Sequence, residues 1–180
     1  VTFCSPSGGY MNTLAPDSKR FHDVEARHAL RYHVLLETDR VRVAASIAAA
    51  KVHNYREWII RRFGPEGSEA AAQLGKALSS IPDAQSLEEV RGHEGYAARS
   101  VFRLVADLAA AHGFQSEGRV PYKKKDHLNS LLDFAYFLLT ARLNMLIRGK
   151  GLNPYLGFLH SAKDHYESLV YDLAEPFRFR

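Results

Sequence analysis

After Pro16 the chain reads as helix nearly throughout, because its apolar residues fall three and four positions apart and so line one face of a 3.6-residue turn. The pattern predicts helices over 24–37 and 39–63, with Leu35, Ile47, Val52, Ile59 and Ile60 on the buried faces. Gly64, Pro65 and Gly67 break the run, and an alanine-rich helix follows to Leu78, stopped by Pro82. Ser86 with Glu89 three residues on is a capping-box signature that opens a helix running to His112, where Gly113 is a natural stop. Residues 113–125 form a loop. The next helix, 126–148, carries Leu128, Leu131, Leu132, Ala135, Leu138 and Leu139 on one side, widened by Phe134 and Phe137, and is expected to be central and buried. Gly149 and Gly151 end it. Asn153 and Pro154 predict the cap and first turn of a short helix, and 168–175 a last one closed by Pro176. Val1–Cys4, followed by Ser-Pro-Ser-Gly-Gly, reads as the end of a strand. The expected fold class is therefore all-α, a helical bundle with at most a remnant strand at residues 1–4. The opening lacks an initiating methionine, so the chain is expected to be cut from something longer.

Hydrophobic residues make up 46% of the chain and aromatic ones 11%, enough to bury a sizeable core and to exclude disorder. Cys4 is the single cysteine, so no internal disulfide can form, and no signal-peptide pattern is present; a cytoplasmic location is expected. The longest fully apolar run, Phe134 to Leu139, is far shorter than the roughly 18–20 residues that span a bilayer, and no membrane partner is expected. The net charge of +4 is unevenly spread: residues 1–118 balance, and the whole excess lies in 119–180. Arg119, Lys123, Lys124 and Lys125 cluster there. Such a cluster can track a phosphate backbone, and it can equally be a solvated loop; charge alone does not choose.

Three acidic residues and one histidine stand out. Glu94 shares a helical face with Ala97, Ala98, Val101 and Val105, so its carboxylate projects along an apolar side and needs either an arginine partner or a metal. Asp172 and Glu175 lie three apart on one helical face, which suits a hard cation held between them but is also common on helix surfaces. His160 ends the apolar segment Gly-Phe-Leu-His, a place for a core histidine or a ligand. Blander readings fit the rest. His93 points about 100° away from Glu94, His112 belongs to a helix end, and Trp58 belongs to the core. Asn129, Asp133, Tyr136, Thr140 and Asn144 form a polar stripe that lines either a DNA groove or another helix. Arg99 and Arg103 reach either phosphate or solvent.

Longer words join these residues. Gly92-His93-Glu94-Gly95-Tyr96-Ala97-Ala98-Arg99 comes first, then Asp126-His127-Leu128-Asn129 leading to Phe134-Ala135-Tyr136-Phe137-Leu138-Leu139. Gly151-Leu152-Asn153-Pro154-Tyr155-Leu156-Gly157-Phe158-Leu159-His160 and Asp172-Leu173-Ala174-Glu175-Pro176-Phe177-Arg178 follow in order. This series resembles the helical catalytic domain of the CRISPR-associated spacer-acquisition integrase family, and Ala49-Ala50-Lys51-Val52-His53-Asn54 is similar to that family's first long helix. The sequence departs from the family at His127, where proline is common, and at Asp133, where serine is common.

The resemblance implies residues 17–180 as a helical catalytic domain and 1–16 as the remnant and linker of an N-terminal β domain, with a C-terminal tail missing. It implies Glu94, His160 and Glu175 as ligands of Mg²⁺ or Mn²⁺, with Asp172 as a neighbouring catalytic acid. The implied reaction is transesterification, in which the 3′-hydroxyl of a short spacer DNA attacks a phosphodiester at a CRISPR repeat, in antiviral defence. Nuclease activity is its hydrolytic counterpart. Lys123, Lys124, Lys125, Arg99, Asn129, Tyr136 and Arg178 are the implied DNA contacts. The implied partners are double-stranded DNA, the small second CRISPR adaptation protein and, in the full-length protein, a second copy. A transposon-borne integrase, the integrase part of a reverse-transcriptase fusion, and a non-catalytic DNA-binding subunit are the alternatives.

Overall fold

The computed structural model describes residues 2–6, 10–13, 19–114, 119, 126–160 and 166–179. A short antiparallel hairpin, β1 (Thr2–Cys4) and β2 (Tyr10–Thr13), precedes six α-helices among these residues. The helices are α1 (Lys19–Thr38), α2 (Arg40–Phe63), α3 (Ser68–Ser80), α4 (Leu87–Ala111), α5 (His127–Gly149) and α6 (Ser168–Ala174). Tight 3₁₀ turns occupy Gly64–Gly67, Ile81–Asp83 and Glu175–Phe177. The all-α expectation holds. The strand expected at the start has a partner, and the hairpin reaches α5, where Cys4 Sγ lies 3.6 Å from Met145 Sδ.

The helix at the centre is α2. Its stripe Ala44, Ala45, Ala48, Lys51, Val52, Tyr55 and Ile59 is buried, following the three-and-four spacing, and the alanines let neighbouring backbones come close. Against it pack Leu74 and Ala77 of α3, Val90, Ala97, Val101 and Val105 of α4, and Ile81 of the intervening turn. Ser86 caps α4 as its sequence predicts, its Oγ accepting a bond from Glu89 N at 3.2 Å, and the chain turns away just past Ala111 at Gly113, whose φ of 82° suits glycine. Aromatic packing closes the core at one end, where Phe179 meets Tyr55, Trp58 and Phe102.

Two expectations are corrected here. The helix expected to be central, α5, leaves Leu131, Phe134, Leu138 and Leu146 exposed and buries Asn129, Asn144 and Ile147 instead. Its apolar residues wrap most of its circumference, so periodicity could not tell which side faces inward; polar pairing decides it. Asn144 donates to Glu167 at 2.7 Å, and Ile147 joins Leu169 and Val170 of α6 in a second small core. By length and composition α5 is also apolar enough to cross a membrane, a property that counting unbroken apolar runs overlooks. Its ion pairs Arg119–Asp133 and Arg148–Glu167 tie it into the bundle. The second correction is Asn153–Pro154, which begins no helix. Asn153 Oδ1 accepts a bond from Tyr155 N at 2.9 Å, turning the chain into an irregular segment that runs to His160.

Candidate active site

The segment 153–160 and α6 hold each other through backbone groups. Gly157 N donates to Ser168 Oγ at 3.0 Å, and Leu169 N donates to Pro154 O at 2.9 Å. Asp172, fully buried, accepts from Phe158 N at 2.5 Å, Leu159 N at 3.0 Å and His160 N at 3.0 Å, and from His160 Nδ1 at 2.7 Å. The carbonyls of the same stretch are taken by side chains of the bundle: Tyr32 on Gly157, Arg40 on Phe158 and Arg91 on Leu159, the last at 2.6 Å. Only glycine fits at 157, because a Cβ there would lie 2.7 Å from the Ser168 backbone and 2.9 Å from the Asp172 carboxylate. The sequence therefore builds a rigid platform whose last residue is His160.

That platform brings the predicted residues together around a cation. Lys51, on the buried stripe of α2 and 4% exposed, donates to Glu94 Oε1 of α4 and pairs with Glu175 Oε2 in the turn after α6. Glu175, 3% exposed, receives Arg178 on its other oxygen at 2.9 Å, and His160 Nε2 lies 3.8 Å from that same oxygen. The partner of Glu94 is thus a lysine, not one of the arginines. The sequence reasoning missed Lys51, although a charge at a core position of an amphipathic helix signals a buried partner. It also missed Asn54, which donates to Pro176 O at 2.6 Å and fixes the turn that carries Glu175.

The donor set fits a divalent metal. Two carboxylates and one imidazole from three separate elements suit Mg²⁺ or Mn²⁺. With Nδ1 held by Asp172, Nε2 of His160 points toward Glu175, the arrangement in which a carboxylate orients a ligating histidine. Glu175 Oε2 faces the ammonium without a directed hydrogen bond, and among the described residues the buried hydroxyls of Tyr55 and Tyr136 have no hydrogen-bond partner. Such orphaned groups are places for a charged or oxygen-rich occupant. Among the described residues no three acidic, histidine or cysteine groups close into a ready cage, since the Lys51 ammonium lies between the carboxylates. Burial raises the pKa of both phenols, that of Tyr55 well above its ordinary value, so both hydroxyls keep their protons. At Arg178 burial works against the charge, but Glu175, Tyr136, Tyr55 and Glu94 together outweigh it and the pKa is raised.

Beside the cluster opens a cavity of about 780 Å³ lined by Arg119, Phe134, Tyr136, Tyr166, Tyr171 and Arg178, among others. Tyr166 and Tyr171 stack face to face at 4.6 Å, each about 6 Å from His160, and Arg178 lies 4.7 Å over the Tyr136 ring. Of the DNA contacts implied by resemblance, Tyr136 and Arg178 line this cavity and Arg99 is exposed on α4. Asn129 is corrected: it is fully buried, caps α5 with Asp126 and accepts from Arg119 at 3.1 Å, so it has no surface to offer DNA. Lys123, Lys124 and Lys125 lie outside the described residues.

The all-α bundle thus gathers two carboxylates, a carboxylate-held imidazole and basic residues beside an aromatic cavity. The family model "CRISPR associated protein Cas1" matches residues 1–180, and the chain belongs to that family. The CRISPR-associated endonuclease Cas1 of Leptospira interrogans is 31% identical over 153 residues, covering 79% of this chain and 60% of that protein. A Cas1 endonuclease of Thermus thermophilus is 34% identical over 179 residues, covering 99% of this chain and 52% of that protein. The chain therefore spans little more than half the length of these curated relatives. Its fold matches a Cas1 protein from Thermotoga maritima at a TM-score of 0.72 and 24% identity, over 98% of this chain and 55% of that one. It matches a casposase bound to integration product at 0.74 and 22% identity, over 99% of this chain and 52% of that one. A chain of a partial Cas6-RT-Cas1–Cas2 complex matches at 0.80 and 17% identity, over 98% of this chain and 54% of that one.

Proposed function

We propose that this chain is the helical catalytic domain of a metal-dependent DNA integrase and endonuclease, with Glu94, His160 and Glu175 holding Mg²⁺ or Mn²⁺. The observation that carries the reading is the convergence of Glu94 and Glu175 on one buried cation, with His160 Nε2 aimed at the same carboxylate. A divalent cation bound there supplies charge to offset what develops on a phosphodiester as a 3′-hydroxyl or water displaces its leaving oxygen. Asp172 orients the imidazole and anchors the platform, and so acts by positioning. Arg178 and the aromatic walls of the adjacent cavity bind a strand end, with cationic groups for phosphate and ring faces for bases. In the whole protein, residues 17–180 form the catalytic domain and residues 1–16 lead from a β domain that pairs two copies. The assembly includes the small second CRISPR adaptation protein and works in a prokaryotic cytoplasm, inserting short duplexes at a CRISPR repeat.

The test is a joining assay with the full-length protein and the small second adaptation protein, Mn²⁺, a labelled short duplex and a repeat-bearing plasmid. Joined product is expected, and Glu94→Ala abolishes it while duplex binding stays near wild type. Equal joining by Glu94→Ala refutes the assignment.

A further inference from the structure

We propose that Lys51 is an internal cation that holds Glu94 and Glu175 together before metal loading and withdraws from them when the metal binds. This rests on the metal reading of the same site. Among the described residues Lys51 is the cation in contact with Glu94, and it bridges that carboxylate to Glu175 across two elements that α2 packs between. Without it, two inward carboxylates would repel across a buried gap, since among the described residues Arg178 ion-pairs with Glu175 and not with Glu94. A buried lysine equally needs both of them.

A divalent metal requires those carboxylate oxygens at about 2.0–2.6 Å, a distance that leaves no room for an ammonium on the same oxygens. Lys51 and the metal therefore compete, and whatever the ammonium contributes to the metal-free fold is subtracted from metal affinity. Lysine suits the task better than arginine because its compact charge sits on a flexible four-carbon stem that can swing. The Tyr55 ring, whose centroid is 5.5 Å from Nζ, gives the ammonium a face to move toward while staying cationic.

The experiment compares the wild-type chain, Lys51→Met and Lys51→Arg by thermal unfolding in EDTA and by calorimetric titration with Mn²⁺. Lys51→Met should unfold at a lower temperature in EDTA and bind Mn²⁺ at least tenfold more tightly than wild type. Lys51→Arg, which keeps the charge but not the compact head that swings aside, should stay folded in EDTA and bind Mn²⁺ more weakly than wild type; Mn²⁺ binding by Lys51→Arg as tight as that of Lys51→Met counts against the inference. Equal or weaker Mn²⁺ binding by Lys51→Met overturns the inference while leaving the metal reading intact; absence of Mn²⁺ binding by wild type overturns both. If Lys51→Met is unfolded in EDTA, saturating Mn²⁺ must restore its helical circular dichroism, and failure to do so counts against the inference. A structure of the wild type with Mn²⁺ must show Nζ out of hydrogen-bond distance of Glu175; an ammonium still bridging both carboxylates overturns it.

Discussion

Replacing Asp172 by alanine separates a structural carboxylate from a metal-supporting one. The side chain accepts four hydrogen bonds, three from consecutive backbone N–H groups and one from the His160 ring. Removing the acceptor strands four donors, and a stranded buried donor costs about 1–3 kcal/mol. Leu159 is buried, so its N–H pays that cost fully, whereas Phe158 and His160 are half-buried and recover part of it from water. The sum is about 3–5 kcal/mol, at the upper end for a single substitution. For a chain of this length each kcal/mol lowers Tm by about 2–4 °C, so Asp172→Ala should unfold about 6–20 °C below wild type. Thermal circular dichroism in EDTA is the assay, because it removes any contribution from bound metal. A Tm within about 2 °C of wild type there would show that Asp172 does not hold the platform.

Two other changes probe the same architecture. Gly157→Ala places a methyl group 2.7 Å from the Ser168 backbone, so the platform must move off α6; Tm should fall by a few degrees and Mn²⁺ binding should weaken, both measurable on purified protein. Tyr55 and Tyr136 set an alkaline limit. Their phenols have raised pKa values in the fold, so above about pH 10 the unfolded chain loses these protons first. Stability is therefore full below the ordinary tyrosine value and declines as pH climbs toward the folded one. Tyr55→Phe removes a buried hydroxyl that has no hydrogen-bond partner among the described residues, so Tm at neutral pH should hold or rise, and its decline above pH 10 should become shallower. A marked loss of Tm at neutral pH would show that the hydroxyl is satisfied.

What could be read from the sequence follows from which signals are local. Capping of α4 by Ser86 and the stops at Gly113 and Gly151 depend on a few adjacent residues, and the structure has them where expected. The face of α5 is decided by Glu167 and α6, far along the chain, while its own apolar residues point nearly everywhere. The site divides the same way. Spacing puts Asp172 and Glu175 on one side of a helix, but only the fold assigns them different tasks, one binding backbone amides and the other facing Lys51 and Arg178. Asn129 looked like a groove residue because a polar stripe on an apolar helix has the same pattern whether it meets DNA or a neighbouring arginine.

The charges of the site show why the lysine and the metal must be considered together. Asp172 is matched by three peptide N–H dipoles and the His160 ring, so its charge is answered inside the platform. Glu94 and Glu175 are matched by Lys51 and Arg178, which leaves the metal-free cluster close to neutral in formal charge. A divalent cation entering this cluster adds two positive charges where burial makes any excess costly. Two things can offset them: movement of the Lys51 ammonium away from the carboxylates, and the negative oxygens of a bound phosphodiester. The first gives a reason for a lysine among proposed metal ligands; the second would tie the metal to nucleic acid, because phosphodiester oxygens offset the positive charge that a metal adds.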